Sequence, residues 1–431
     1  MDGFQALSLF AEWLTILLRA APAKLRPTFL ELLLGCIIAR SGHITNALLA
    51  ITPRRTWTAY YKAIEKGVFS WLALAKQWTQ LLCNVLLPEE ILLAIDDTLS
   101  FRSSKKAPST ALHHDHANRP NRPKYVWGQL FVCVAMVCSF KGRQGAFPLL
   151  LRMIPSTGNR SKLKAAILLT RILVRWLGHR VPIRLLLDAW YMKGPLVKDA
   201  LRLGLNVIGQ VRSDTVLYLS PERVMNPKRG RPRKYGLRLS LEKVQALFDE
   251  QSSTINAYGE DRLFQYYCFA AHVRFLNGRV CHLVWCRFQK RSGKWTNWHL
   301  LLSTDLSCCG ELIIKRYASR WWVESCFNEL KNQFGLKDTW QQTRQVVARW
   351  RQIVCLAYGL PRLMALVAGP QAGTALLLIP WRRKHPMTAG WIARALAKIF
   401  GNLAVRELWD RKSQKFQLPK DLLEGGFRKA A

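Results

Sequence analysis

The order of apolar runs between residues 91 and 211 limits the fold more than any other feature of the chain. β-Branched, aliphatic and aromatic residues concentrate at 91–95, 125–140, 146–154, 182–187 and 205–211. Among the last three runs lie two stretches with apolar residues at helical spacing, 161–177 and 195–203. Each is followed by a glycine, Gly178 and Gly204, suited to ending a helix. The order is strand, strand, strand, helix, strand, helix, strand. Closely linked strands pair antiparallel, whereas strands separated by a helix pair parallel through a crossover. The expectation is an α/β protein with a mixed sheet and helices packed on it.

The flanks differ in character. Residues 1–85 read as a helical N-terminal domain, with helical spacing over 4–18 and 28–38 and a short segment at 43–49. Thr52 suits an N-cap and Pro53 the first turn of a helix running to Lys66, with Gly67 as its C-cap. Trp57, Tyr60 and Ile64 then share a face, and Arg54 and Arg55 stand at the helix start. Two helices about a short turn, with arginines there, fit either a DNA-reading helix-turn-helix or an ordinary helical pair. Residues 86–212 and 307–370 form the two parts of the core. Between them, 213–306 reads as a β-rich insertion with strands at 264–273, 279–287 and 298–303. One long helix is expected from Gly310 to about Phe334, and another over 342–368. Residues 371–431 form a basic region interrupted by Pro380, Pro386 and Pro419.

Charge narrows the partner. The 431 residues carry 65 Lys+Arg against 27 Asp+Glu, a formal +38. Such self-repulsion is best relieved by a polyanion, and nucleic acid fits better than an anionic membrane or a ribosomal setting. The apolar runs are too short to span a bilayer. Met1-Asp2-Gly3 lacks the basic lead of a signal peptide. Eleven cysteines form no pair at zinc-clamp spacing and read as reduced, mostly buried thiols.

In so basic a chain the acids that close apolar runs stand out. Asp97 follows Ile91–Asp96, and Asp188 follows Arg184-Leu185-Leu186-Leu187. A buried carboxylate is costly unless paired, and Mg²⁺ prefers carboxylate oxygens. Either Asp alone would serve equally as a turn cap. Further on, Arg320, Glu324 and Lys331 stand 3, 7 and 14 residues after Tyr317. On one helix these four fall within a sector of about 60° and span about 21 Å. Val323, Phe327 and Leu330 form the apolar face beside them. The set reads as a metal-binding carboxylate between phosphate holders, or as an exposed face with an Arg320–Glu324 pair.

The Tyr-x2-Arg-x3-Glu-x6-Lys spacing, complete here, resembles the signature of the cut-and-paste bacterial insertion-sequence transposases of the DDE superfamily. Asp97, just before Thr98, resembles the family's first catalytic Asp. Asp188, in Leu187-Asp188-Ala189-Trp190-Tyr191, resembles the second. The resemblance spans roughly 85–365 and is loose elsewhere. It implies a ribonuclease H-like mixed sheet with flanking helices, a β-rich insertion and a helical N-terminal domain. It implies Asp97, Asp188 and Glu324 as catalytic residues and as ligands of two Mg²⁺ ions, with Mn²⁺ as a substitute. The activity implied is excision through a hairpin intermediate, then strand transfer. Tyr317, Arg320 and Lys331 would hold DNA phosphates. Trp298, or its rival Trp295, would stack on an extruded base. The implied partners are transposon terminal inverted repeats and target DNA, with a homodimer on paired ends and no membrane, in the bacterial cytoplasm on the nucleoid. Asp96 leaves the first ligand open: strand alternation sends neighbours to opposite faces, and the position before Thr98 favours Asp97.

Two further motifs are weaker. His113-His114-Asp115-His116 could be a metal site but reads better as a polar loop near DNA. Arg229 and Arg231, within the basic run 228–234, suit either a minor-groove hook or general phosphate binding. The competing functions are a ribonuclease H-like nuclease or resolvase without strand transfer, and a non-catalytic DNA-binding repressor.

Overall fold

Apolar residues at helical spacing build five helices ahead of the sheet: α1 (Gly3–Leu18), α2 (Arg26–Ala39), α3 (Ile44–Leu49), α4 (Trp57–Lys66) and α5 (Trp71–Leu86). The computed structural model describes residues 3–419 apart from 105, 116–120, 122, 156–158, 223–232 and 378–386. The core follows as β1 (Ile91–Phe101), β2 (Ala111–His114), β3 (Tyr125–Phe140), β4 (Arg143–Met153), α6 (Asn159–Leu177), β5 (Ile183–Leu187), α7 (Gly194–Arg202) and β6 (Asn206–Val211). The next segment holds β7 (Leu217–Tyr218), β8 (Arg238–Leu239), α8 (Leu241–Leu247), β9 (Gln251–Ala257), β10 (Glu260–Val273), β11 (Val280–Phe288) and β12 (His299–Ser303). The chain closes with α9 (Gly310–Ser319), α10 (Trp322–Gln333), α11 (Arg344–Leu377), α12 (Ala389–Phe400) and the short pair β13 (Trp409–Asp410) and β14 (Lys415–Phe416).

The strand order β4-β3-β1-β5-β6 combines antiparallel β4–β3 and β3–β1 pairs with parallel β1–β5 and β5–β6 pairs. This is a large mixed sheet with flanking helices, consistent with a ribonuclease H-like fold. Helices cover both faces, so β3 is buried from Gly128 to Cys138 and shows no polar alternation. The sheet does not stop at β6. Leu300–Ser303 of β12 pair antiparallel with Val211–Ile208, and β11, β10 and β9 continue from there. An apolar edge strand is thereby covered rather than exposed.

α11 is the central helix of the protein and packs against α1, α2, α5, α12 and β4. Its stretch Arg344–Gly369 is long and apolar enough to cross a membrane, contrary to the expectation that the apolar runs are too short, but most of it is buried inside the protein. Gly335, at φ +70°, follows α10 and lies against Gly42, so that a Cβ on either would overlap the other's backbone. This contact ties the α2–α3 turn to the end of α10. The eleven cysteines are free, with Cys309 exposed.

Four local expectations need correction. The helix expected from Thr52 begins at Trp57, with Thr56 at the N-cap position. Residues 52–55 are drawn away by other partners. The Thr52 amide donates to Leu403 O, the Arg54 amide to Glu31 Oε1 and the Arg55 amide to the Tyr60 hydroxyl. β1 does not end before its acids but carries them within the strand. His113 and His114 belong to β2 rather than to a loop, and His116 lies outside the described residues. The single helix from Gly310 is two helices, broken at Arg320-Trp321. There the Ser319 hydroxyl donates to Arg316 O at 2.6 Å, taking the carbonyl that the Arg320 amide would use in an α-helix. That amide turns to Tyr317 O instead, and the junction tightens into i→i+3 bonds.

Candidate active site

The parallel register of β1 with β5 stops at Ile95 opposite Leu187, so Asp96 and Asp188 leave the paired region at the same level. Asp96 and Asp97 point to opposite faces, as successive strand residues must. Each face has its own partners. Asp97 accepts from Lys162 Nζ of α6 at 3.0 Å and from the Tyr191 hydroxyl at 3.2 Å. Asp96 faces the α9–α10 junction, where Arg320 Nη1 lies 3.5 Å from its Oδ2. The other Arg320 amine donates to Glu324 Oε1 at 2.8 Å. One guanidinium therefore bridges an acid of β1 to the acid of α10. Asp188 is fixed by the Tyr191 amide, which donates to its Oδ1 at 2.8 Å.

The helix break spreads the four signature residues over two helices, not one face. Tyr317 ends α9 and donates to Gln210 Oε1 on β6 at 3.0 Å. Arg320 sits in the junction and Glu324 in the first turn of α10. Lys331 lies two turns further on, about 10 Å along the axis, with its ammonium over the Phe327 ring.

Burial raises the Asp96 carboxyl to about 7; Arg320 opposes the shift, and the Asp188 and Asp97 charges add to it. Asp188 is raised as well, by burial first, with the Tyr191 amide and Arg320 opposing. Burial would lower the Arg320 guanidinium, but Tyr317, Asp96 and Glu324 outweigh that and raise it.

Because the folded Asp96 binds its proton more tightly than the unfolded chain, its stabilising contribution is complete below about 3.8 and is lost as the pH rises through about 7. In chelator, Asp96→Asn should therefore stabilise the protein at pH 8 by on the order of 1–3 kcal/mol relative to its effect near pH 4. Thermal unfolding at both pH values tests this, and an equal effect at both would refute it.

Among the described residues no three Asp, Glu, His or Cys side chains converge as a metal ion would need. The donor chemistry nonetheless fits a hard divalent cation: Asp96, Asp188 and Glu324 offer only oxygens, and burial leaves two of them short of compensating charge. Arg320 is the cation now standing between Asp96 and Glu324.

Beside this cluster lies a cavity of about 510 Å³, lined by Gln210, Tyr258, Arg287, Tyr317, Arg320 and Trp321 among others. Trp321 is 46% exposed and meets the Tyr258 ring edge-on at 5.7 Å. Trp298 and Trp295, the two sequence candidates for stacking, do not line it. Both rings pack on the Arg287 guanidinium, at 4.6 and 5.0 Å, and Trp298 also packs on Tyr267. Sequence reasoning missed Lys162, Tyr191, Tyr258 and Trp321. Trp321, inside the signature, and Tyr191, inside the motif around Asp188, carried a signal. Arg54 pairs with Glu407, and Arg55 lies beside it in the turn before α4, far along the sequence from the acids. Arg229 and Arg231 lie outside the described residues.

A family model described as DDE superfamily endonuclease matches residues 26–257, more than half of the chain. The match takes in Asp96, Asp97 and Asp188 and ends before Glu324. No curated protein matches the chain.

Proposed function

Because the chain belongs to the DDE superfamily of endonucleases, we propose that it is a DNA transposase that excises an insertion sequence through a hairpin intermediate and joins it to target DNA, with Asp96, Asp188 and Glu324 as its acid triad. Membership implies a catalytic nuclease acting on DNA. The observation that carries the finer reading is the Arg320 guanidinium, which spans Asp96 and Glu324 level with Asp188. That favours Asp96 over Asp97 as the first ligand, since Asp97 is engaged by Lys162 and Tyr191 on the other face.

Bound to these three carboxylates, two Mg²⁺ or Mn²⁺ ions would supply charge stabilisation for in-line displacement and a more acidic water. Arg320, two-pronged and held in a largely buried junction, grips the phosphate next to the break. Tyr317, anchored through Gln210, sets the wall of the cavity. Trp321 and Tyr258 offer π-faces to a base unstacked at the cut end, which a hairpin bend requires. Lys331 meets a phosphate further along, and Tyr191 is a positioning residue that holds Asp188 through its backbone amide.

The test uses the full chain with Mg²⁺ and linear DNA carrying the sequences that flank its coding region. Hairpin ends and strand-transfer products are expected. Nicks alone would point to a nuclease or resolvase. Binding with no metal-dependent cleavage would point to a repressor and overturn the enzymatic reading.

A further inference from the structure

We infer a second anion site, for a phosphoryl oxyanion, formed by Arg351, Arg152, Arg344 and Ser109 at the end of the sheet beyond the acid cluster. Arg351, on α11, is 1% exposed, yet it lines a cavity of about 240 Å³. Its Nη1 donates to Ser100 Oγ at 3.1 Å, and its guanidinium lies over the Phe131 ring, 3.7 Å from the centroid. Its Nε and Nη2 are buried with no hydrogen-bond partner among the described residues.

Ser109 Oγ, on the wall of the same cavity, is likewise buried and unpartnered among the described residues. Arg152 and Arg344 line the cavity from β4 and α11 and are exposed. None of the three arginines forms an ion pair among the described residues. Arg102, the charge that most influences Arg351 from nearby, is another arginine. A buried guanidinium without a carboxylate is costly, and Arg351, with two unpartnered donors, and Ser109, with an unpartnered hydroxyl, both line a cavity flanked by two more cations. Donors without an acceptor, in a planar fork, match the oxygens of a phosphate.

The position fits the path of a nucleic-acid strand. Ser100 lies four residues along β1 from Asp96 and on the same face, about 13 Å away at the usual strand rise. That is about four nucleotides along one strand of a duplex. The oxyanion can come from a DNA backbone or from a free phosphate, and two arms of one experiment separate these sources. Neither arm uses cleavage, so failure of the triad reading and failure of this site are distinguishable.

In the first arm, the full chain in chelator is melted in inorganic phosphate and in chloride at matched ionic strength. In the second, affinity for a DNA duplex is measured against salt. Both are repeated with Arg351→Met and with the Arg152→Ala/Arg344→Ala double variant, whose exposed positions spare the core if Arg351→Met folds poorly. If free phosphate is the ligand, it raises the melting temperature of the natural protein, and both variants lose at least about tenfold in phosphate affinity. If the DNA backbone is the ligand, the double variant loses about two from the slope of log K against log salt, near 0.9 per phosphate contact. A phosphate response and a salt slope that both survive unchanged in the variants would overturn the site.

Discussion

Asp96→Asn should lower DNA cleavage at least about 10³-fold, equivalent to about 4 kcal/mol of transition-state stabilisation, while leaving end binding intact. Asp97→Asn should stay within about tenfold of the natural protein. The asymmetry follows from the two faces of β1. An amide at 96 removes a charge that Arg320 links to Glu324 and that stands beside the Asp188 charge. An amide at 97 keeps an acceptor for Lys162 and Tyr191. Asp188→Ala and Glu324→Ala should match the Asp96 variant, because the three act as one unit and their losses do not add. Single-turnover cleavage of labelled ends measures all four, with a gel shift to show that each still binds. The reverse ranking, with Asp97→Asn dead and Asp96→Asn active, would return the first ligand to the residue before Thr98.

The second large effect concerns stability. Arg406→Ala should destabilise the protein by about 3–5 kcal/mol, the range for stripping one partner from a buried ion pair. Glu31 on α2 is fully buried. It accepts from Arg406 at 2.8 Å, from the Tyr60 hydroxyl at 2.8 Å and from the Arg54 amide at 3.1 Å. Arg406 also donates to Thr28 Oγ1. Without the guanidinium, only neutral donors remain around a buried negative charge. Arg406→Met combined with Glu31→Gln should recover most of the loss, since it removes both charges at similar volume. The shift in the urea midpoint measures both, and a single-variant cost below about 1 kcal/mol would contradict the argument.

The strands and helices of the core were legible because each announces itself locally, by an apolar run or a helical period closed by glycine. Two of the places where reading failed share one cause: a partner distant in sequence. Nothing near Thr52 signals that its amide meets Leu403, and so delays α4 to Trp57. Nothing in residues 298–303 signals that β12 pairs with β6. The α9–α10 break has a local cause, the Ser319 hydroxyl, but serine tolerates helix interiors often enough that its choice of Arg316 O is not fixed by sequence. In the candidate site, the acids and the signature were visible, and strand alternation showed that Asp96 and Asp97 face opposite ways. Which of the two faces Glu324 depends on how α10 lies over the sheet. Ser109, Arg152 and Arg351 come from separate parts of the chain, so their cavity has no linear trace at all.

The continuous ladder from β1 through β5, β6 and β12 to β11 has a mechanical consequence. The wall bearing Tyr258 and Arg287 is stitched to the strands bearing the acids, so their separation is a fixed gauge rather than a hinge. A duplex offered to such a gauge must itself supply the distortion. Selectivity among ends would then follow the ease with which terminal steps unstack, with pyrimidine–purine steps favoured, more than any pattern of groove-edge donors and acceptors.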